Sequence, residues 1–189
     1  MLDKLIALDE RVFHFLHTWD TPAALWQVIA IYGVYLVPVI LVWFWLARRR
    51  EPALFAFLAG FIAWVGINNL IGHFVERMRP VDYYHLVLPM QEGFFHRPGS
   101  SFPSDHTAFM AAIITIFYFY GERRVAYFVG GIAFINVLGR IVVGFHWPGD
   151  ILIGALVGLA TAAALWLLRR PIERLLISPI VSMARKIGL

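Results

Sequence analysis

Apolar residues run along the chain in four long stretches. Pro22 to Ala47 holds one strongly polar residue, Gln27, and Ala53 to Gly72 is apolar until Asn68 and Asn69. Val125 to Gly144 is broken only by Asn136 and Arg140, and Ile151 to Leu168 carries no charge. Each is long enough to cross about 30 Å of hydrocarbon as a helix. A fifth run, Thr107 to Tyr120, reaches spanning length only if it begins near Phe102 and takes in a polar insert, Ser104-Asp105-His106. The pattern therefore predicts an all-α integral membrane bundle of about five transmembrane helices, organised as one domain over residues 1–189.

The flanks read differently. Between Met1 and Trp19 apolar residues recur three to four apart, at Leu2, Leu5, Val12 and Leu16, with Asp9 breaking the spacing. This stretch is too charged to span and too interrupted for a signal peptide. It predicts an amphipathic helix on the outer surface or packed against the bundle, with Asp20, Thr21 and Pro22 as the cap and start of the next helix. The second membrane helix is expected to end near Arg79, since Pro80 cannot continue it. The loop from Val81 to Ser101 mixes aromatic and polar residues in the manner of a headgroup region. Pro171 to Leu189 predicts an inner-leaflet interfacial helix, interrupted near Pro179.

Composition sharpens this picture. Only 15% of residues are charged, against about 25% in a soluble domain. No cysteine is present, which removes disulfides, thiolate nucleophiles and cysteine metal ligands. Ten of the 16 Lys and Arg fall on one side of the predicted bundle, among them Arg48, Arg49, Arg50, Arg123, Arg124, Arg169 and Arg170. The positive-inside rule places that side in the cytoplasm. The opposite side carries nine of the 12 acidic residues.

With this topology three polar clusters meet at the outer face. Arg77 and Arg79 follow the second helix; Ser104, Asp105 and His106 open the third; Arg140, His146 and Asp150 flank the turn between the fourth and fifth. Forked guanidinium donors match phosphate oxygens, and a helix N-terminus offers free N–H groups to an anion. Two histidines can divide nucleophilic and acid–base work. The expected roles are His146 as nucleophile, with Asp150 accepting from one ring nitrogen to fix the tautomer, and His106 as general acid and later base. Arg79, Arg140 and Ser104 are the expected phosphate ligands. Arg77 is either a further one or an interfacial side chain, and Asp105 either a substrate contact or a helix cap. Asn68, Asn69 and Asn136 read as interhelical hydrogen-bond partners.

These residues resemble the type-2 phosphatidic-acid phosphatase superfamily of membrane lipid phosphatases. Its Pro-Ser-x-His motif is matched by Pro103-Ser104-Asp105-His106. Its third motif is matched by Arg140, His146 and Asp150 with both spacings intact, although Gly139 replaces the family serine. Its first motif ends correctly in Arg79-Pro80, but Gly72 stands in place of the family lysine. The wording around His106 and the short chain look most like the bacterial undecaprenyl-pyrophosphate phosphatases of that superfamily. The resemblance implies metal-independent hydrolysis of a lipid pyrophosphate through a phosphohistidine, with no cofactor, no nucleic-acid partner and membrane lipids as surroundings. It also implies the bacterial cytoplasmic membrane, an active site on its outer side, and a part in lipid-carrier recycling for the cell wall and in bacitracin resistance. Another lipid phosphate (phosphatidylglycerophosphate, phosphatidic acid or lipid A) or a non-catalytic lipid-phosphate binder or transporter are the competing readings.

Overall fold

The computed structural model describes residues 2–17, 23–86, 88 and 100–188, with the side chains of 2–5 and 23 excepted. Among the described residues every regular element is helical. Helix α1 (Leu2–His17) precedes the first span, which is built from α2 (Ala23–Tyr32) and α3 (Leu36–Leu46) joined by a tighter turn at Gly33–Tyr35. The second span joins α4 (Arg50–Phe61) to α5 (Asn69–Phe74) through a wide, π-helical stretch at Ile62–Asn68. A short helix, α6 (Pro80–Tyr83), lies beyond it. Helices α7 (Asp105–Phe119), α8 (Arg123–Val142) and α9 (Pro148–Leu167) complete the bundle. The tail runs through α10 (Arg169–Ile172), a π-helical turn at Glu173–Ile177 and α11 (Ser178–Lys186).

Among the described residues four helices are long and apolar enough to cross a membrane: Ala24–Leu46, Arg50–Phe74, Arg123–Val142 and Pro148–Leu167. The fifth departs from expectation. Helix α7 has 15 residues, about 22 Å at 1.5 Å per residue. It starts at Asp105, after Ser104 in an extended conformation, so it takes in Asp105 and His106 but not the residues from Phe102 to Ser104. Its neighbours explain why this short helix is tolerated. It packs against α4, α8 and α9, and Ala108, Met110, Ala112, Ile113, Ile116 and Phe117 are all buried in the main core. The other helices, rather than lipid, surround it.

The closest approach is between α7 and α9, and two glycines permit it. A Cβ on Gly154 would stand 2.6 Å from the Ser104 carbonyl oxygen, and one on Gly158 would strike the Ala108 carbonyl. A four-residue spacing of small residues is a common device for close helix contact in membranes. Here it presses the start of α7 onto the start of α9.

The flanking helices pack rather than float. Phe13 of α1 is buried, stacked on Tyr84 and edge-on to Trp147. In the tail, Ile177 and Val181 join the main core, and Tyr120 donates a 2.6 Å hydrogen bond to Glu173. The second span ends earlier than expected. The chain turns extended at Val75, so Arg77 and Arg79 sit on an extended segment and not on the helix. Asp20, Thr21 and Pro22, and most of the loop before Ser100, lie outside the described residues.

Candidate active site

The three sequence clusters converge at one end of the bundle, where α7 and α9 begin and α8 ends. Arg140, in the last turn of α8, is 2% exposed. Its Nη1 donates to the Ala30 carbonyl at 3.0 Å and to Nε2 of His106 at 3.3 Å, and its Nη2 donates to Nε2 of His146 at 3.1 Å. One guanidinium thus touches both imidazoles, from residues 40 positions apart in sequence. The helix pair α2 and α8 makes this possible. A Cβ on Gly139 would lie 3.2 Å from the Trp26 carbonyl oxygen and 3.4 Å from the Ala30 nitrogen, so glycine lets α2 bring its carbonyl to Arg140. Asn136, one turn back, donates to the carbonyls of Ile29 and Ala30 at 2.7 and 3.2 Å, an interhelical role as its sequence context implied.

His146 follows Gly144, whose φ of +83° lets the chain reverse after α8. Its Nδ1–H donates to the Ser101 carbonyl at 2.8 Å, which leaves the Nε2 lone pair pointing at the arginine. Asp150 is arranged differently from the sequence expectation. Its Oδ2 is 3.7 Å from His146 Nδ1, beyond a hydrogen bond. That oxygen accepts instead from the Trp147 backbone N–H at 2.9 Å, capping α9, while Oδ1 accepts from Arg77 Nη1 at 2.7 Å. The carbonyl therefore sets the tautomer, and the carboxylate adds its charge from slightly further away.

Ser104 is the N-cap residue of α7 and is fully buried. Its N–H donates to the Asp150 carbonyl at 3.1 Å, and its Oγ accepts from the Thr107 hydroxyl at 3.0 Å. Asp105 accepts from Asn68 Nδ2 at 2.5 Å, and the same amide donates to the Pro103 carbonyl at 3.0 Å. Asn68 thus clamps the turn that opens α7. It is the last residue of the π-helical stretch, where widened helix turns are frequently found at functional sites. Arg79 is 5% exposed and donates to the carbonyls of Phe145 and Ser100 at 3.0 and 3.3 Å.

Arg77 has two carboxylate partners, Asp150 at 2.7 Å and Asp9 of α1 at 2.5 Å, and its guanidinium lies over the Trp147 ring. Sequence reasoning saw Asp9 only as a break in an apolar pattern. Nothing local marks the carbonyls of Ala30 and Ser101, because a backbone acceptor has no residue signature.

Residues 53–174 match the PAP2 superfamily. Bacitracin transport permease protein BcrC of Bacillus licheniformis is 30% identical over 138 residues, covering 71% of this chain. Undecaprenyl-diphosphatase BcrC of Bacillus subtilis is 32% identical over 134 residues, covering 68% of this chain. The chain matches 65% of the length of each of these relatives. The fold is similar to that of a PAP2-type phosphatidylglycerolphosphate phosphatase from Bacillus subtilis, with a TM-score of 0.67 at 21% identity over 91% of this chain and 89% of that one. With its apolar spans and its converging motifs, the chain is a multi-pass membrane protein that belongs to the PAP2 superfamily of lipid phosphatases.

Proposed function

We propose that this protein hydrolyses a lipid pyrophosphate, undecaprenyl pyrophosphate to undecaprenyl phosphate, at the outer face of the bacterial cytoplasmic membrane. The observation that carries the reading is Arg140, whose two terminal nitrogens meet Nε2 of His106 and of His146. In this reading a phosphoryl group held by that guanidinium lies within reach of both imidazole nitrogens, one to attack and one to protonate the leaving oxygen. The 32% identical relative named an undecaprenyl-diphosphatase supports the choice of lipid.

Substrate phosphate takes over the donors of Arg140, joined by Arg79, the Ser104 hydroxyl and N–H groups of the first turn of α7. The Nε2 lone pair of His146 attacks the terminal phosphorus. The bond from that phosphorus to the bridging oxygen breaks, and Nε2 of His106, released from Arg140 by the substrate and protonated in the complex, gives its proton to the leaving lipid phosphate. Water then attacks the phosphohistidine, gives its proton to His106, and releases inorganic phosphate with the His146 lone pair restored. The Ser101 carbonyl holds Nδ1–H throughout, and the Asp150 carboxylate at 3.7 Å stabilises the positive charge that develops on the ring. Arg77 and Asp105, already engaged with carboxylates and with Asn68, hold the motifs in register in this reading.

Purified protein in excess chelator is expected to release phosphate from undecaprenyl pyrophosphate with kcat/KM at least tenfold above that on phosphatidic acid, phosphatidylglycerophosphate or lipid A. Preference for one of the other three reassigns the lipid. Absence of turnover on all four removes the enzymatic reading. Trapping of labelled phosphate on a histidine, lost in His146→Gln, tests the intermediate.

A further inference from the structure

Helix α1 lies outside the three motifs, yet its one irregular residue reaches the reaction centre through a chain of charges. Asp9 Oδ2 accepts from Arg77 Nη2 at 2.5 Å, and Oδ1 accepts from the Gly149 backbone N–H at 2.6 Å. The contact is built closely, since a Cβ on Gly149 would stand 2.8 Å from Asp9 Oδ2. Arg77 continues to Asp150 at 2.7 Å, and Asp150 stands 3.7 Å from His146. The helix that presents Asp9 is anchored beyond it, one and two turns further on. Phe13 is buried against Trp147 and Tyr84, and His17 Nδ1 lies 2.7 Å from the Val142 carbonyl. An apolar position in the stripe of α1 is thus given over to a carboxylate, and that carboxylate is held by a cation and a helix N-terminus.

We propose that Asp9 is a positioning residue for the proposed phosphoryl transfer: by sharing Arg77 with Asp150 and fixing the first turn of α9, it holds the Asp150 carboxylate at the working distance from His146. This rests on the reading of His146 as the nucleophile. Without Asp9, Arg77 keeps one carboxylate partner, and its full positive charge falls on Asp150. The charge that Asp150 offers the imidazolium is then reduced. The groups that face His146 are Arg140 from α8 and Asp150 from α9, with His106 of α7 on the far side of Arg140. Arg77 and Asp9 stand behind Asp150, and Arg79 holds the carbonyl of the neighbouring Phe145. Of these, Asp9 alone is contributed by α1.

The sign follows from the charges. Asp9 is negative and favours the protonated ring, so its removal makes the ring easier to deprotonate. In full-length Asp9→Asn, kcat on lipid pyrophosphate is expected to fall about tenfold through misalignment, with KM within about twofold of wild type. The acid limb of the pH–rate profile should move down by about half a pH unit. The titration midpoint of His146 in ¹⁵N-histidine NMR should move with it, and Asp9→Glu should restore part of both. An unmoved limb and NMR midpoint, whatever happens to kcat, would overturn the proposal and leave Asp9 a folding contact only. The NMR titration needs no turnover. An inactive wild type would therefore count against the proposed function, while a shifted His146 midpoint would still support the charge relay.

Discussion

Both ends of the bundle are rich in arginine, and they treat it in opposite ways. The end that holds the site is the outer one in the expected topology, and the opposite end the inner. At the inner end Arg123, Arg124, Arg170 and Arg174 are exposed, and the Arg49 side chain is 65% exposed even with Glu122 at 3.1 Å. Arg170 and Arg174 border an open hollow of about 430 Å³. At the outer end Arg79 and Arg140 are almost wholly buried, each tied to backbone carbonyls, and Arg140 to two imidazoles. Charges at the inner end are solvated, so they are expected to act by number rather than by the direction of their donors. Charges at the outer end have lost water and act through the direction of their donors. A buried guanidinium without partners is strongly unfavourable, so its position is specified by everything around it. Arg50, 4% exposed at the inner end beside Trp45, shows that burial alone does not make a site, since among the described residues no imidazole hydrogen-bonds to it.

This contrast can be broken most directly at His146. His146→Ala should lower kcat by about 10⁴-fold or more, with an unchanged circular dichroism spectrum and elution volume to confirm folding. Residual turnover within tenfold of wild type would remove the nucleophile from the proposed role. Arg140→Lys is next. A lysine ammonium keeps the charge but not the fork that reaches Ala30, His106 and His146 at once, so about a 100- to 1,000-fold loss is expected. If lysine serves as well as arginine here, the outer end acts by charge number too, and the distinction between the two ends collapses. Asn68→Ala should cost about tenfold in kcat/KM. It should also remove about 1–3 kcal/mol of stability, because the buried Asp105 oxygen loses its donor; thermal unfolding in detergent measures this part. The smallest effect is expected for the double variant Arg123→Gln with Arg124→Gln, which should stay within about twofold of wild type once inserted. A loss as large as that of Asn68→Ala would mean that the inner end also holds its arginines in working geometry.

Much of the fold was legible because the membrane makes simple demands. Four runs of apolar residues became four spanning helices with ends shifted by a few positions. Helix α7 is shorter than a spanning length, and its environment explains the difference. A helix surrounded by other helices need not match the thickness of hydrocarbon, and no count of its own residues reveals those neighbours. The asparagines at positions 68 and 136 stood out as polar residues in apolar runs, and both hold backbone carbonyls on another segment. The extended path of Arg77 and Arg79 was missed because Val75, where the helix stops, has no breaker.

The site divides along the same line. The motif residues His106, Arg140, His146 and Asp150 are identified by type and spacing, because phosphate chemistry needs cations, imidazoles and a helix start in fixed order along the chain. The sequence by itself therefore determined the membrane spans and the motif side chains that meet at one end of the bundle. Only the tertiary structure decided which atom meets which. It gave His146 Nδ1 to the Ser101 carbonyl rather than to Asp150, turned Asp150 toward Arg77, and brought Asp9 of α1 into the same chain of charges. The physical reason is that these partners come from segments up to 140 positions apart. Several are backbone groups common to every residue, so only the packing of α2, α7, α8 and α9 selects among them.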